Sequence, residues 1–195
     1  MRKYDYETDE GYSVLDKLQT QKEYHSAVPL LFLERTFLEE NGIQFEPDIL
    51  YEDMLYTYEV FCKSKKVSHI RKPFYQRRYR SNSIMTSRKN RKHFLSAKAV
   101  YEKVRNVSEQ IEKLDDEVAR RYVVRCAFNA LNMYRKLSSI ERREGKVDYK
   151  ELKAMILEDK AYGDKALYMR CYGMFPWFCY KVYEKTLGRF LKGSN

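Results

Sequence analysis

The chain of 195 residues carries 38 Lys and Arg against 28 Asp and Glu, a formal net charge of +10, with seven Gly, four Pro and four Cys. So few Gly and Pro exclude collagen-like and long low-complexity designs, and no apolar run approaches the roughly 18 residues of a membrane-spanning helix. The length suits one domain of about 100 to 200 residues, with enough chain to close a real core.

Charge is unevenly placed. Between Thr36 and Cys62 there are seven acidic residues and no Lys or Arg, whereas Arg71 to Lys92 holds nine Lys and Arg and no acid. Removing those nine leaves 29 basic against 28 acidic residues, so the net charge is one local block. A single cluster focuses potential where diffuse charge is screened within roughly 10 Å, which points to an anion site rather than a uniformly basic nucleic-acid coat. Cys62, Cys126, Cys171 and Cys179 have no Cys-x-x-Cys spacing and lie in apolar helical contexts, as expected of reduced, buried thiols. Met1-Arg2-Lys3-Tyr4-Asp5-Tyr6-Glu7 is too acidic for a signal peptide. The chain therefore reads as cytoplasmic.

Residues 1–24 are polar and Tyr-rich; Val14, Leu15 and Leu18 line one short helical face with no evident burial partner, so the segment reads as a lead-in. Thr36-Phe37-Leu38-Glu39 has capping-box spacing, and Asn41-Gly42 supplies a left-handed stop, which predicts a short helix carrying Phe37 and Leu38 inward. Glu46-Pro47-Asp48 forces a turn. A helix from Asp53 to Cys62 follows, with Glu52 and Asp53 at its N-terminus, where backbone N–H groups and the helix dipole hold carboxylates oriented and ionised. Val67-Ser68-His69-Ile70 alternates like a strand, Pro73 confines it to an edge, and Phe74 to Tyr79 is expected to continue as a second short strand. His69 on that strand reads as structural rather than as a ligand.

From Lys92 onward the pattern is helical. Phe94, Ala97, Tyr101 and Val104 form one stripe, and Val118, Tyr122, Cys126, Met133 and Leu137 another. Asp148 to Glu151 opens a helix ahead of Leu152, Met155 and Ile156, and Asp164 is placed to cap the next. The tail from Met174 to Tyr183 is the most aromatic stretch, followed by Lys185, Arg189 and Lys192. It reads either as a last packed helix or as a peripheral contact with an anionic membrane at its inner face.

Leu30 to Phe45, then Ile49 to Tyr56 with Tyr51-Glu52-Asp53, then Ile70 to Met85 with Gln76-Arg77-Arg78-Tyr79-Arg80-Ser81-Asn82-Ser83, closely resemble in order and spacing the C-terminal half of bacterial family 2 glycosyltransferases. Those are inverting, GT-A-fold enzymes of polysaccharide biosynthesis, and the resemblance covers roughly residues 24 to 90. It implies that Asp53 is the base that deprotonates the acceptor hydroxyl, with Glu52 as its neighbour. It also implies that Gln76, Arg77, Arg78, Arg80 and Ser83 bind the nucleotide diphosphate or a phosphorylated acceptor. Arginine forks match phosphate geometry, and a carboxylate opposite the departing nucleotide suits inversion.

The same resemblance implies a sugar nucleotide, a saccharide acceptor and a divalent metal for the complete enzyme. This sequence has no Asp-x-Asp pair after an apolar strand, and its doublet Asp115-Asp116 lies between helical stripes. The donor-binding half and its metal ligands thus have no candidates here, and no metal-binding residue is assigned. The chain is expected to be catalytically silent alone, and an apolar face left open by the missing half is expected to favour self-association.

The expected architecture is mainly α within an α+β plan. It comprises a lead-in at 1–24, an acceptor- and base-bearing portion with a small β remnant of the GT-A domain at 25–90, and a helical bundle at 91–195. A different class of function stands beside it: a basic helical binding module for nucleic acid or an acidic partner, using Arg71 to Lys92.

Overall fold

The computed structural model describes residues 8–70, 72–76, 88–111 and 117–158. The fold is mainly α. The chain divides into two units, Met1–Gly145 and Lys146–Asn195.

In the first unit, α1 (Gly11–Thr20) buries Val14, Leu15 and Leu18 completely. Burying each such side chain is worth roughly 1.5–3 kcal/mol, so the segment read as a lead-in is part of the core from residue 11. Its partners are α3 (Glu52–Lys63) and α5 (Glu117–Arg135). Arg121 on α5 reaches back to Asp16 and to Thr20 Oγ1, and Gln19 Nε2 donates to the Val118 carbonyl at 3.3 Å. Nothing in residues 1–24 announces those partners, because α3 lies about 40 and α5 about a hundred positions downstream.

A short 3-10 turn at Val28–Leu30 leads to α2 (Arg35–Glu40). This helix starts one residue before the predicted cap: Glu34 precedes it without a side-chain capping bond, and Thr36 sits inside. The stop is as expected, with Gly42 at φ 61° and the Asn41 amide donating to the Phe37 carbonyl at 2.8 Å. Phe37 and Leu38 pack with Leu31 and Leu33 on Ile43, Tyr56 and Val60, a small secondary core. Residues 47–48 form the predicted turn, with Asp48 at φ 60°.

α4 (Arg91–Gln110) and α5 are the long pair of the unit and pack along each other, while α3 also lies against α4. Both predicted stripes are buried: Phe94, Ala97, Tyr101 and Val104 on α4, and Val118, Tyr122, Cys126 and Met133 on α5, with Leu137 just beyond it. α6 (Ser139–Glu144) is closed by a reciprocal cap between Ser138 and Glu141. The second unit begins with α7 (Lys146–Glu158), on which Leu152, Met155 and Ile156 share a face.

The β part of the expectation is not confirmed. Among the described residues there is no strand, and the extended chain after α3 makes one isolated antiparallel bridge, Asp9 with Val67. The two reciprocal bonds, 2.9 and 2.8 Å, end there. Residues 68–70 and 72–76 are irregular, and 77–79 lie outside the described residues. Alternation signals one buried face, and Val67 and His69 are indeed more covered than Ser68 and Ile70. A strand also needs a paired neighbour, and among the described residues only Asp9 pairs with this segment.

Cys62 and Cys126 are free thiols, and burial pushes the Cys126 thiol up to about 12, so it stays protonated and inert. No helix among the described residues is long and apolar enough to cross a membrane. Cys171, Cys179, Asp164 and the aromatic tail lie outside the described residues.

Candidate active site at the start of the third helix

The chain enters α3 through Tyr51, whose backbone is left-handed at φ 67°, ψ 22°. For a bulky L-residue that conformation costs roughly 1–2 kcal/mol. Side-chain contacts offset it: the Tyr51 hydroxyl meets Met133 Sδ at 3.5 Å, and its ring lies 6.2 Å from that of His93. The left-handed step turns the backbone so that Glu52 and Asp53 occupy the first helical turn.

Asp53 is half-buried, and its Oδ2 accepts a hydrogen bond from Ser26 Oγ at 3.0 Å. Burial is the largest influence on this carboxyl and raises its pKa; the charge of Glu52 acts the same way. The Ser26 hydroxyl and the Met54 amide oppose both without reversing them. The first turn orients Asp53 as expected, and desolvation adds an upward shift that the sequence alone did not indicate. A carboxyl shifted upward is a stronger base than one in water, which suits proton abstraction from a hydroxyl.

The turn is fixed from beneath by a buried hydroxyl cluster. Thr57 Oγ1 donates to the Asp53 carbonyl at 2.7 Å, and Tyr122 donates to the Met54 carbonyl at 2.7 Å. Tyr24 bridges them, its hydroxyl 2.6 Å from Thr57 Oγ1 and 3.0 Å from Tyr122. Burial pushes the Tyr24 phenol up to about 12, so the cluster is neutral at physiological pH.

On the other side of Tyr51 stands the start of α4. Asn90 caps it reciprocally with His93: Asn90 Oδ1 accepts from the His93 amide, and His93 Nδ1 accepts from the Asn90 amide, both at 3.3 Å. His93 is 6 % exposed, and its Nε2 is buried without a hydrogen-bond partner. Burial, then the charge of Lys89, lowers its pKa and keeps the ring neutral. Lys89 is itself lowered by burial and by Lys136.

Of the residues singled out in the sequence, Glu52 and Asp53 thus share one rigid turn. Gln76 is exposed, and Arg77, Arg78, Arg80 and Ser83 lie outside the described residues. Among the described residues no three His, Cys, Asp or Glu side chains converge as a metal site. Sequence reasoning missed Ser26, which carries no local signal, and His93, for which the Asn90-x-x-His93 spacing ahead of an apolar stripe was the available clue. No family model, no curated protein and no solved structure matches the chain.

Proposed function

We propose that this chain is the acceptor-binding, base-bearing portion of an inverting glycosyltransferase of the family 2 kind, transferring a sugar from a nucleotide sugar to a cell-surface polysaccharide acceptor on the cytoplasmic side of a membrane. The observation that carries the reading is Asp53: a half-buried carboxyl with a raised pKa, held by Ser26 at the head of a helix whose first turn is anchored by Thr57 and Tyr122. In the reaction the acceptor hydroxyl attacks the anomeric carbon, its proton passes to Asp53, and the nucleotide diphosphate leaves from the opposite face, inverting the centre. Glu52 raises the basicity of Asp53 by like charge and stands beside the acceptor. Gln76, Arg77, Arg78, Arg80 and Ser83 are assigned to the phosphates, where guanidinium forks stabilise the departing charge. Donor binding and its metal are assigned to a separate half of the complete enzyme, since this sequence offers no Asp-x-Asp pair for them.

The test is transfer from UDP-sugars to a saccharide acceptor with divalent metal. The chain alone is expected to give no turnover. In an assembly that supplies the donor half, Asp53→Asn is expected to lower kcat by about 10²- to 10⁴-fold with little change in donor KM. Full rate in that variant removes Asp53 as the base.

A further inference from the structure

An apolar patch and a cationic limb meet along one groove of the first unit. Phe32 is 82 % exposed and Phe74 62 %, and their rings contact each other edge to face at 6.2 Å. Leu30, Ile70 and Tyr75 are exposed beside them along the same groove. Exposed aromatic and aliphatic side chains gathered in this way mark an interaction surface, because solvent contact at each costs free energy that folding has not recovered.

Charge identifies the occupant. From Val60 to Tyr101 the sequence holds thirteen Lys and Arg and no acid. Of these, Lys65, Lys66 and Lys72 line the groove next to Ile70 and Phe74, and none of the three is in an ion pair among the described residues. The groove's acids, Glu23, Glu34 and Glu40, come from the segment before α3, whereas Lys63, Lys65, Lys66 and Lys72 come from its end and the chain beyond it.

We propose that this face docks on a bilayer containing anionic lipid, with Phe32 and Phe74 inserted at headgroup depth and Lys65, Lys66 and Lys72 over the lipid phosphates. A membrane interface takes aliphatic and aromatic groups together with lysines whose stems lie along the apolar surface. Single-stranded nucleic acid fits less well, since bases need free ring faces and the edge-to-face pair occupies one, while Leu30 and Ile70 offer nothing to stack on. A second copy of the chain would bring the lysine limbs of two identical faces together at the cost of like-charge repulsion. The proposal stands apart from the transfer reaction, because vesicle binding needs neither Asp53 nor a donor.

The experiment is co-sedimentation of the full chain with vesicles of phosphatidylcholine, with and without phosphatidylglycerol. Binding is expected only with phosphatidylglycerol, falling as salt rises. Phe32→Ser with Phe74→Ser is expected to lower the partition by about tenfold or more. Lys65→Gln with Lys66→Gln should lower it by about fivefold per lysine at low salt. Brominated phosphatidylglycerol should quench the emission of a Phe74→Trp, Trp177→Phe chain, which reports the patch and not the aromatic tail. The proposal is overturned by absence of vesicle binding or by unchanged binding in both double variants. It is equally overturned by quenching confined to Trp177 of the wild type, by displacement from vesicles with single-stranded nucleic acid, or by a dimer that the Phe32→Ser, Phe74→Ser variant dissolves.

Discussion

Tyr122 donates its phenolic hydrogen to the carbonyl oxygen of Met54 over 2.7 Å, while its ring stacks on Tyr58 at 4.5 Å. The bond crosses from the second turn of α5 to the first turn of α3, where a backbone carbonyl is used by a side chain from 68 positions away. Tyr122→Phe keeps the stacking and removes the donor. It is expected to cost about 1–3 kcal/mol in urea unfolding, because the Met54 carbonyl is left in a fully buried setting and Tyr24 loses a partner. A cost near zero would mean that water replaces the hydroxyl.

Leu15 tests whether α1 belongs to the core. It is 0 % exposed between α3 and α5, and Leu15→Ala is expected to destabilise the chain by about 2–5 kcal/mol. A solvent-facing lead-in would tolerate the change within about 0.5 kcal/mol.

The difference between those two outcomes is also the difference between what was and was not legible in the sequence. The stripes of α4 and α5 were readable because Phe94 to Val104 and Val118 to Met133 repeat over three or more turns, so periodicity alone fixes the buried face. α1 offers three apolar residues in ten, too few to define a face without its partners, and its partners are brought by tertiary structure. Val67 to Ile70 shows the converse: alternation was genuine, yet a strand is a property of a pair, and among the described residues only Val67 is bridged. At the site, the acids of the first turn were legible as Glu52-Asp53, whereas the sign of the pKa shift was not. That sign is set by burial against the opposing Ser26 bond, and neither is encoded within a helix turn of Asp53.

Two glycines separate space from backbone conformation. At Gly11 an added Cβ would overlap the Phe61 carbonyl oxygen and come within 2.8 Å of Ser64 Cβ, where α1 crosses the end of α3. At Gly42 nothing lies within 4 Å of the new atom, but φ is +61°. Gly11→Ala is therefore expected to cost about 1–3 kcal/mol through overpacking, and Gly42→Ala about 1 kcal/mol through strain alone. Gly42→Asn separates the causes further: asparagine tolerates the left-handed region, so it should recover much of the Gly42→Ala loss. Thermal or denaturant unfolding of the three variants reads the result.

Asp53 carries opposed consequences for stability and for the proposed reaction. Burial, reinforced by Glu52, places its folded pKa above the ordinary 3.8, so folding favours the protonated carboxyl. The stability this contributes is fully present below pH 3.8 and is lost as pH rises through the folded value, leaving the ionised group a net cost at neutral pH. Asn cannot ionise and still accepts from Ser26 through its carbonyl oxygen. Asp53→Asn is therefore expected to raise the urea midpoint at pH 7, with the gap to wild type closing as the solution is acidified below the ordinary carboxyl range. Ser26→Ala removes one of the bonds that lower the pKa and should widen the gap in the Asp53 background at pH 7. A variant that is more stable yet slows transfer by orders of magnitude in the completed enzyme is the signature of a residue kept for chemistry against the interest of the fold. If Asp53→Asn instead lowers stability at pH 7 more than at acidic pH, the carboxylate is a structural cap, and both the sign of its shift and its assignment as base fail together.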